Sequence, residues 1–494
     1  MNDKNSKILE SSLYDLWKKQ GYKHPLKTFS GEEITILDAG VHNDEVGGPD
    51  FKNARIRIGN FTYVGDIEID KNYSDWKTHG HNIDGKYTRV ILHAALTNKS
   101  NYSYVYTRDG RKIPSICLSD FIEEKDKESL ANNSDEPKQD SGSNVKCSSL
   151  IKNYSAEERD KYLRKLGNDR FEKKCKKIYA RLKELQFVRE MNLKEPVISY
   201  ELTSQFHDKK FNNSDFTSRE IWQQLLYEQI FEALGYSKNK SQMLHLSRAA
   251  NINFISKIEN DGVITEKYEA ALFFISGLMN GGVNLTEPLS QKYFDKISIH
   301  WNSINSLYDG KYFDNDSWHF FRLRPQNFPT IRIAGGARLL AGIMHKNLIN
   351  SVAKRISEIH NFEVLAKSLR SVFIVKADGF WKNHFVLNQK SNSDMKYFVG
   401  AGRADEIIVN VVLPVFAVYF EIFGKKDTVK KIVKFYNEYE EKSDNQLTIE
   451  VAQSLNMGEQ IHYAVLTQGM IELFRNYCSR NLCLECEIGK LVFN

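Results

Sequence analysis

The residues best equipped for chemistry lie near the front of the chain. Asp50 follows Pro49 in the turn Gly47-Gly48-Pro49-Asp50-Phe51. Asp66, Glu68 and Asp70 alternate along the next run, and His79, His81 and Asp84 follow in His79-Gly80-His81-Asn82-Ile83-Asp84. Carboxylate oxygens suit hard divalent cations, whereas a histidine pair with a nearby acid suits Zn²⁺, Mn²⁺ or Fe²⁺. Acids sharing one strand face resist ionising together, and a bound cation reverses that cost. The bland alternative for the histidines is a polar loop that caps a helix. Two further groups carry chemistry. Cys478, Cys483 and Cys486 form a Cys-x4-Cys-x2-Cys series whose Cys-x2-Cys step fits a metal knuckle, with Cys147 and Cys175 available as a fourth ligand. Arg322, Arg324, Arg332 and Arg338 surround Pro325 and Pro329. Arginines on a stiffened loop suit phosphate or carboxylate, and equally suit structural ion pairs to helix ends.

These side chains need elements to aim them. Ala54, Ile56 and Ile58 alternate with polar residues, Gly59-Asn60 has turn chemistry, and Phe61 to Asp70 alternates again. The pattern predicts a β-hairpin. Its register decides the site. A strict two-residue turn sets Asp50 across from Ile69, on the wrong face for Glu68. A three-residue turn, or a bulge near Gly65, sets Asp50 beside the acids. Val90 to Leu96 is apolar on both faces, the pattern of a buried central strand, and it contains His93, a hydrogen-bonded core residue or a site residue. Lys7 to Gln20 has helical spacing.

From Ile122 to Ser149 the chain is charged and polar, which predicts a disordered linker or long surface loop. Beyond it the periodicity is helical. Residues 156–192 are heavily basic, a solvated face or one turned to nucleic acid. The apolar run Ile407 to Phe423, interrupted by Pro414, predicts a buried kinked helix or two pieces. The organisation expected is an α/β domain over 1–121, a linker over 122–149 and a mostly α-helical domain over 150–494.

At 494 residues the chain is long enough for more than one core. The 69 basic residues nearly balance 63 acidic ones, leaving +6, so only a local basic surface could attract nucleic acid. Six cysteines do not make a disulfide scaffold in a chain this long. No apolar run reaches the roughly 18 residues of a membrane span, and no signal peptide is visible, which predicts a cytoplasmic protein without membrane contact.

Several stretches together resemble a bacterial family of unknown function. They are Gly48-Pro49-Asp50-Phe51, Gly65 to Asp70, Ser74-Asp75-Trp76 with His79-Gly80-His81, Val90-Ile91-Leu92-His93, Arg324-Pro325-Gln326-Asn327-Phe328-Pro329-Thr330-Ile331-Arg332 and Asn476-Tyr477-Cys478 to Cys486. That resemblance implies no activity, but it favours Cys147 over Cys175 as fourth ligand. The N-terminal block also resembles the PD-(D/E)xK nuclease fold, in which an Asp after a Pro precedes a Glu-x-Lys on the next strand. Pro49-Asp50 and Glu68 match; position 70 is Asp instead of lysine. This second resemblance implies a mixed sheet and metal-dependent cleavage of DNA or RNA. Asp50 and Glu68 would hold Mg²⁺ or Mn²⁺, and Asp70 would add a ligand or order water. Arg322, Arg324 and Arg332 would meet phosphate. The cysteines would take Zn²⁺ or a [4Fe–4S] cluster. Two other functions fit the same residues: nucleic-acid binding without catalysis on a decayed nuclease fold, and a different metal-dependent hydrolase using His79, His81 and Asp84.

Overall fold

The computed structural model describes residues 10–22, 25–28, 31–43, 48–98, 103–122, 145, 147, 155–193, 204–279, 285–314, 317–320, 323–441, 445–457 and 462–493. The chain forms two compact units. One comprises residues 1–140 with 314–329, and the other 141–313 with 330–494. Most of the linker expected over 122–149 lies outside the described residues; Val145 and Cys147, which are described, are buried.

The first unit is a curled mixed sheet. Its elements are α1 (Glu10–Lys19), β1 (Leu26–Lys27), β2 (Glu33–Asp38), β3 (Val41–His42), β4 (Phe51–Ile58), β5 (Phe61–Asn72), α2 (Asp75–Thr78), β6 (Val90–Thr97), β7 (Tyr104–Tyr106) and β8 (Lys112–Cys117). The strand order is β1-β2-β4-β5-β6-β8-β7, and β3 also pairs with β4. The strands from β1 to β5 are antiparallel, β5–β6 and β6–β8 are parallel, and β7 returns antiparallel to β8.

Alternation along β5 divides the sheet into two chemically different faces. Ile67 and Ile69 join Leu13 and Trp17 of α1, with Phe51, Leu92 and Ala94, in one apolar core. The intervening Glu68 and Asp70 are also buried, on the other face. A smaller cluster of Trp76, Tyr87, Val90, Val105 and Ile113 forms elsewhere in this unit.

The hairpin turns in two residues, with Ile58 opposite Phe61, but the register then shifts between Phe51 and Ala54. Asn53 takes the extra step at φ 57° and donates its backbone N–H to Asp66 Oδ1 at 3.0 Å. This β-bulge pairs Phe51 with Ile67 and brings Asp50 beside Glu68. Gly65 is required where the strands close up, because a Cβ there would stand 2.5 Å from the Arg89 carbonyl oxygen. Residues 314–329, expected with the helices, belong to the sheet unit. Phe320 and Phe328 lie against Gly80, and Lys86 Nζ is 3.1 Å from His319 Nδ1.

The second unit is mostly helical. A capping box of Ser155 and Glu158 starts α3 (Ala156–Glu190). This long helix crosses α7 (Ala464–Asn476) at very close range, because Gly167 and Gly469 remove side chains from the crossing. A Cβ at Gly469 would stand 2.1 Å from the Leu163 carbonyl oxygen. The basic character of α3 is partly spent on ion pairs inside this unit. Arg181 meets Glu228 of α4 (Arg219–Leu234) at 2.8 Å, and Arg170 meets Glu472 at 3.1 Å. The apolar run near Pro414 is two pieces, α5 (Ala401–Ile407) and α6 (Leu413–Ile422), joined by π-helical turns over Ile408–Val412. Proline has no N–H to continue the ordinary ladder, and the wider turn absorbs the defect. No helix among the described residues is long and apolar enough to cross a membrane.

Candidate metal centre in the sheet unit

The centre is built on β5. Past Asp70 the strand ends, and Ser74-Asp75 opens the single-turn helix α2. Asp75 fixes that corner by accepting from the Asn72 backbone N–H at 2.9 Å. His79 closes α2 as its C-cap and Gly80 reverses the chain at φ 83°. The turn carries both imidazoles back over the acids. His79 Nδ1 lies 3.3 Å from Asp70 Oδ1, and His81 Nε2 lies 3.6 Å from the same oxygen and 3.2 Å from Glu68 Oε1. Asp70, His79 and His81 each offer a ligand atom, all within 4.8 Å of one another. A tetrahedral ion with nitrogen and oxygen ligands about 2.1 Å away would space its donors about 3.4 Å apart, and the two imidazole–carboxylate distances here are 3.3 and 3.6 Å.

The surrounding groups hold the donors in place. His93 on β6 lies across from Glu68; its Nε2 is 3.1 Å from Asp70 Oδ2 and its Nδ1 is 2.9 Å from Ser115 Oγ on β8. Asp50 accepts from Tyr14 O–H at 2.8 Å and from the Ile69 backbone N–H at 2.9 Å, while its own backbone N–H donates to Glu68 Oε2 at 3.1 Å. His81 rests 4.3 Å from the Tyr87 ring and 5.3 Å from the Trp76 ring. Glu68, Asp70 and His81 are almost wholly buried, whereas the His79 side chain is 28% exposed, so solvent meets the cluster at His79.

Burial alone would raise the Asp70 carboxyl, but the charge of His81 and hydrogen bonds from His79, His81 and His93 hold it well below the usual carboxylate range. Burial also pushes His81 down, against the pull of Asp70. Each shift is toward the deprotonated form, the form in which a carboxylate or an imidazole binds a metal. The Tyr87 hydroxyl donates to the Gly48 carbonyl at 3.2 Å, and burial, with the charges of Glu68, Asp84, Asp50 and Asp70, pushes it far up.

The two ligand sets that the sequence separates, acidic and histidine-based, are one cluster in space. Asp84 is buried too, and its Oδ1 accepts from the Lys86 backbone N–H at 3.0 Å, capping the short helical turn Gly85–Tyr87. Among the arginines, Arg322 lies outside the described residues and Arg324 is exposed. Arg332 is buried, and its guanidinium donates to the Phe398 carbonyl at 2.5 Å and the Tyr236 hydroxyl at 2.7 Å. A phosphate would have to break those bonds, so Arg332 acts in packing and the phosphate-binding expectation for it is withdrawn. Arg338 is likewise bound, to Glu269 and Asp378. It lines a cavity of about 380 Å³ in the helical unit with Tyr293 and His384. Those groups are also spent internally, Tyr293 O–H on Glu269 at 2.6 Å and His384 on Glu287 at 3.0 Å.

Sequence reasoning missed Tyr14 and Ser115 as supports. Tyr14 sits one turn from Trp17 on a helix read only for its apolar face, and nothing local marks a serine as a partner for His93.

The model of a family described as a protein of unknown function (DUF2851) matches residues 10–218 and 204–445. The chain belongs to the DUF2851 family. No curated protein and no solved structure matches this DUF2851 member.

Proposed function

We propose that this DUF2851 protein is a metal-dependent phosphodiesterase acting on DNA or RNA. The observation that carries the reading is the gathering of Asp70, His79 and His81 around one point, with Glu68 against His81 and Asp50 against Glu68. The donor set is mixed nitrogen and oxygen, which favours Mn²⁺, Zn²⁺ or Fe²⁺ over Mg²⁺. A cation there would lower the pKa of a bound water and neutralise charge on a scissile phosphate. Asp70, His79 and His81 would be its ligands. Glu68 is placed to take a proton or to join the ligand set. Asp50 fixes Glu68 and the end of β5.

The phosphodiester assignment rests on the chain path. An antiparallel hairpin with Asp50 before one strand and Glu68 on the next, followed by a parallel strand, resembles the PD-(D/E)xK arrangement. Asp70 stands where that motif has lysine, and it would act with the histidines as a ligand instead. The test is incubation of the full chain with supercoiled DNA and with single-stranded RNA in Mn²⁺. The reading expects nicking that Asp70→Asn and Glu68→Gln both abolish. Cleavage retained by an Asp50→Ala/Glu68→Ala double variant would contradict it.

The absent lysine also favours a second reading, nucleic-acid binding without cleavage. Its mark would be salt-sensitive binding by a chain that never cuts. Exposed Arg324 is a residue whose replacement should weaken that binding.

A further inference from the structure

Four cysteines meet in the helical unit. Cys478 opens the helical turn Cys478–Arg480, Asn481 reverses the chain at φ 57°, and Cys483 opens a second turn, Cys483–Glu485. Cys486 donates its backbone N–H to the Cys483 carbonyl at 3.2 Å, closing the Cys-x2-Cys step. Helix α8 (Glu487–Phe493) begins at once, with Lys490 N–H on the Cys486 carbonyl at 2.8 Å. Gly489 is pressed onto the knuckle, since a Cβ there would stand 2.0 Å from the Cys483 carbonyl oxygen. Tyr162 of α3 pins the turn: its hydroxyl lies 3.9 Å from Cys486 Sγ and accepts from the Glu487 backbone N–H at 3.4 Å.

Cys147 reaches this knuckle from far upstream. Burial, and then the neighbouring Cys486 and Cys483, push its thiol up to about 11. Cys478 is pushed up to about 12 by burial, then by Cys486, Cys147 and Cys483. Cys147 and Cys478 thus each lie within electrostatic reach of the other three, and the backbone turn ties Cys483 to Cys486. All are free thiols. Cys175 is placed differently, with its thiol 3.8 Å from the Pro414 carbonyl oxygen.

A soft, thiolate-binding centre suits four such groups. The spacing separates the two obvious occupants. One zinc ion at 2.3 Å from each sulfur draws its thiolates to about 3.8 Å from one another. Among the described residues, three ligand atoms come within 4.8 Å of one another at Asp70, His79 and His81, and the cysteines do not gather that tightly. A cubane cluster gives each cysteine its own iron and spreads the four sulfurs farther apart.

We propose that Cys147, Cys478, Cys483 and Cys486 ligate a [4Fe–4S] cluster that ties residue 147 to the C-terminal knuckle. Loading is ligand exchange: each thiol gives its proton to solvent and takes one iron of a preassembled cluster, with no electrons moved. The site is independent of the cation centre on β5. The role is structural, since the cluster's bonds replace a core that the short knuckle cannot build alone.

The test is elemental analysis, acid-labile sulfide assay and visible absorbance on the full chain purified without oxygen. The expected result is about four irons and four sulfides per chain, with a broad visible band that dithionite bleaches. Cys147→Ser should lose most of the iron, and Cys175→Ser should keep it. One zinc per chain without iron, or a metal-free chain, would overturn the proposal. Full iron in Cys147→Ser would overturn the ligand set. The measurement on the unaltered chain stands even where a cysteine variant does not fold.

Discussion

In the sheet unit, candidate ligands and their supports from Glu68 to His93 come together because one strand, one short helical turn and one neighbouring strand follow each other directly in the chain. In the helical unit, the cysteine knuckle is also local over Cys478–Cys486, but Cys147 arrives from far away in sequence. The donors differ as well: oxygen and imidazole on β5, sulfur at the knuckle. The difference lies in what holds each group in place. In the β5 cluster His93 bonds Asp70 and is itself bonded to Ser115, while Tyr14 and the Ile69 backbone bond the neighbouring Asp50. Such support is what the proposed catalysis would need. At the knuckle the supports are backbone turns and the Tyr162 hydroxyl, and under the proposal above the cluster would tie Cys147 to them.

The strongest way to break the comparison is to destroy one scaffold and leave the other. Gly469→Val drives a side chain into the backbone of α3 and should cost more than about 3 kcal/mol. Calorimetry should show the loss, and iron content should fall with it. Mn²⁺ binding at β5 should survive.

A second, comparable effect uses pH. Burial pushes Glu441 up from 4.5 to about 7, and nearby Glu406 and Asp405 add to this against Thr467 and Lys174. Its folded-state value is raised, so its contribution to stability is complete below pH 4.5 and is lost as pH rises through 7. That rise of about 2.5 units corresponds to about 3.4 kcal/mol at most. Glu441→Gln should remove that slope and be the more stable form at pH 8, as read by denaturant titration. A variant less stable than the parent at pH 8 would contradict the burial cost.

The smallest effect sharpens the account of β5. Ser115→Ala leaves His93 without its outer partner and should weaken Mn²⁺ binding about tenfold, the low end for lost supporting groups. No change would mean that Ser115 does not orient His93.

Much of this was legible in the residues. Alternation placed Glu68 and Asp70 on one face and Ile67 and Ile69 on the other, and the all-apolar run around His93 marked a central strand. The bulge was legible only as one of several registers, because its cause is remote: Asn53 in a left-handed conformation, held by Asp66. The union of acids and histidines was not legible at all. It depends on α2, a helix of four residues too short to have a period, and on Gly80 turning the chain back. Arg332 misled because a proline-stiffened arginine reads the same whether its guanidinium faces solvent or a buried carbonyl.

The central claim is that Asp70, His79 and His81 hold a divalent ion. Equilibrium titration of Mn²⁺, which thiols bind poorly, into the full chain and into an Asp70→Asn/His81→Ala variant tests it most directly. The account predicts one Mn²⁺ per chain at β5, with affinity reduced at least about 100-fold in the variant, beyond what the loss of a supporting group costs. Equal stoichiometry and affinity in both proteins would contradict it.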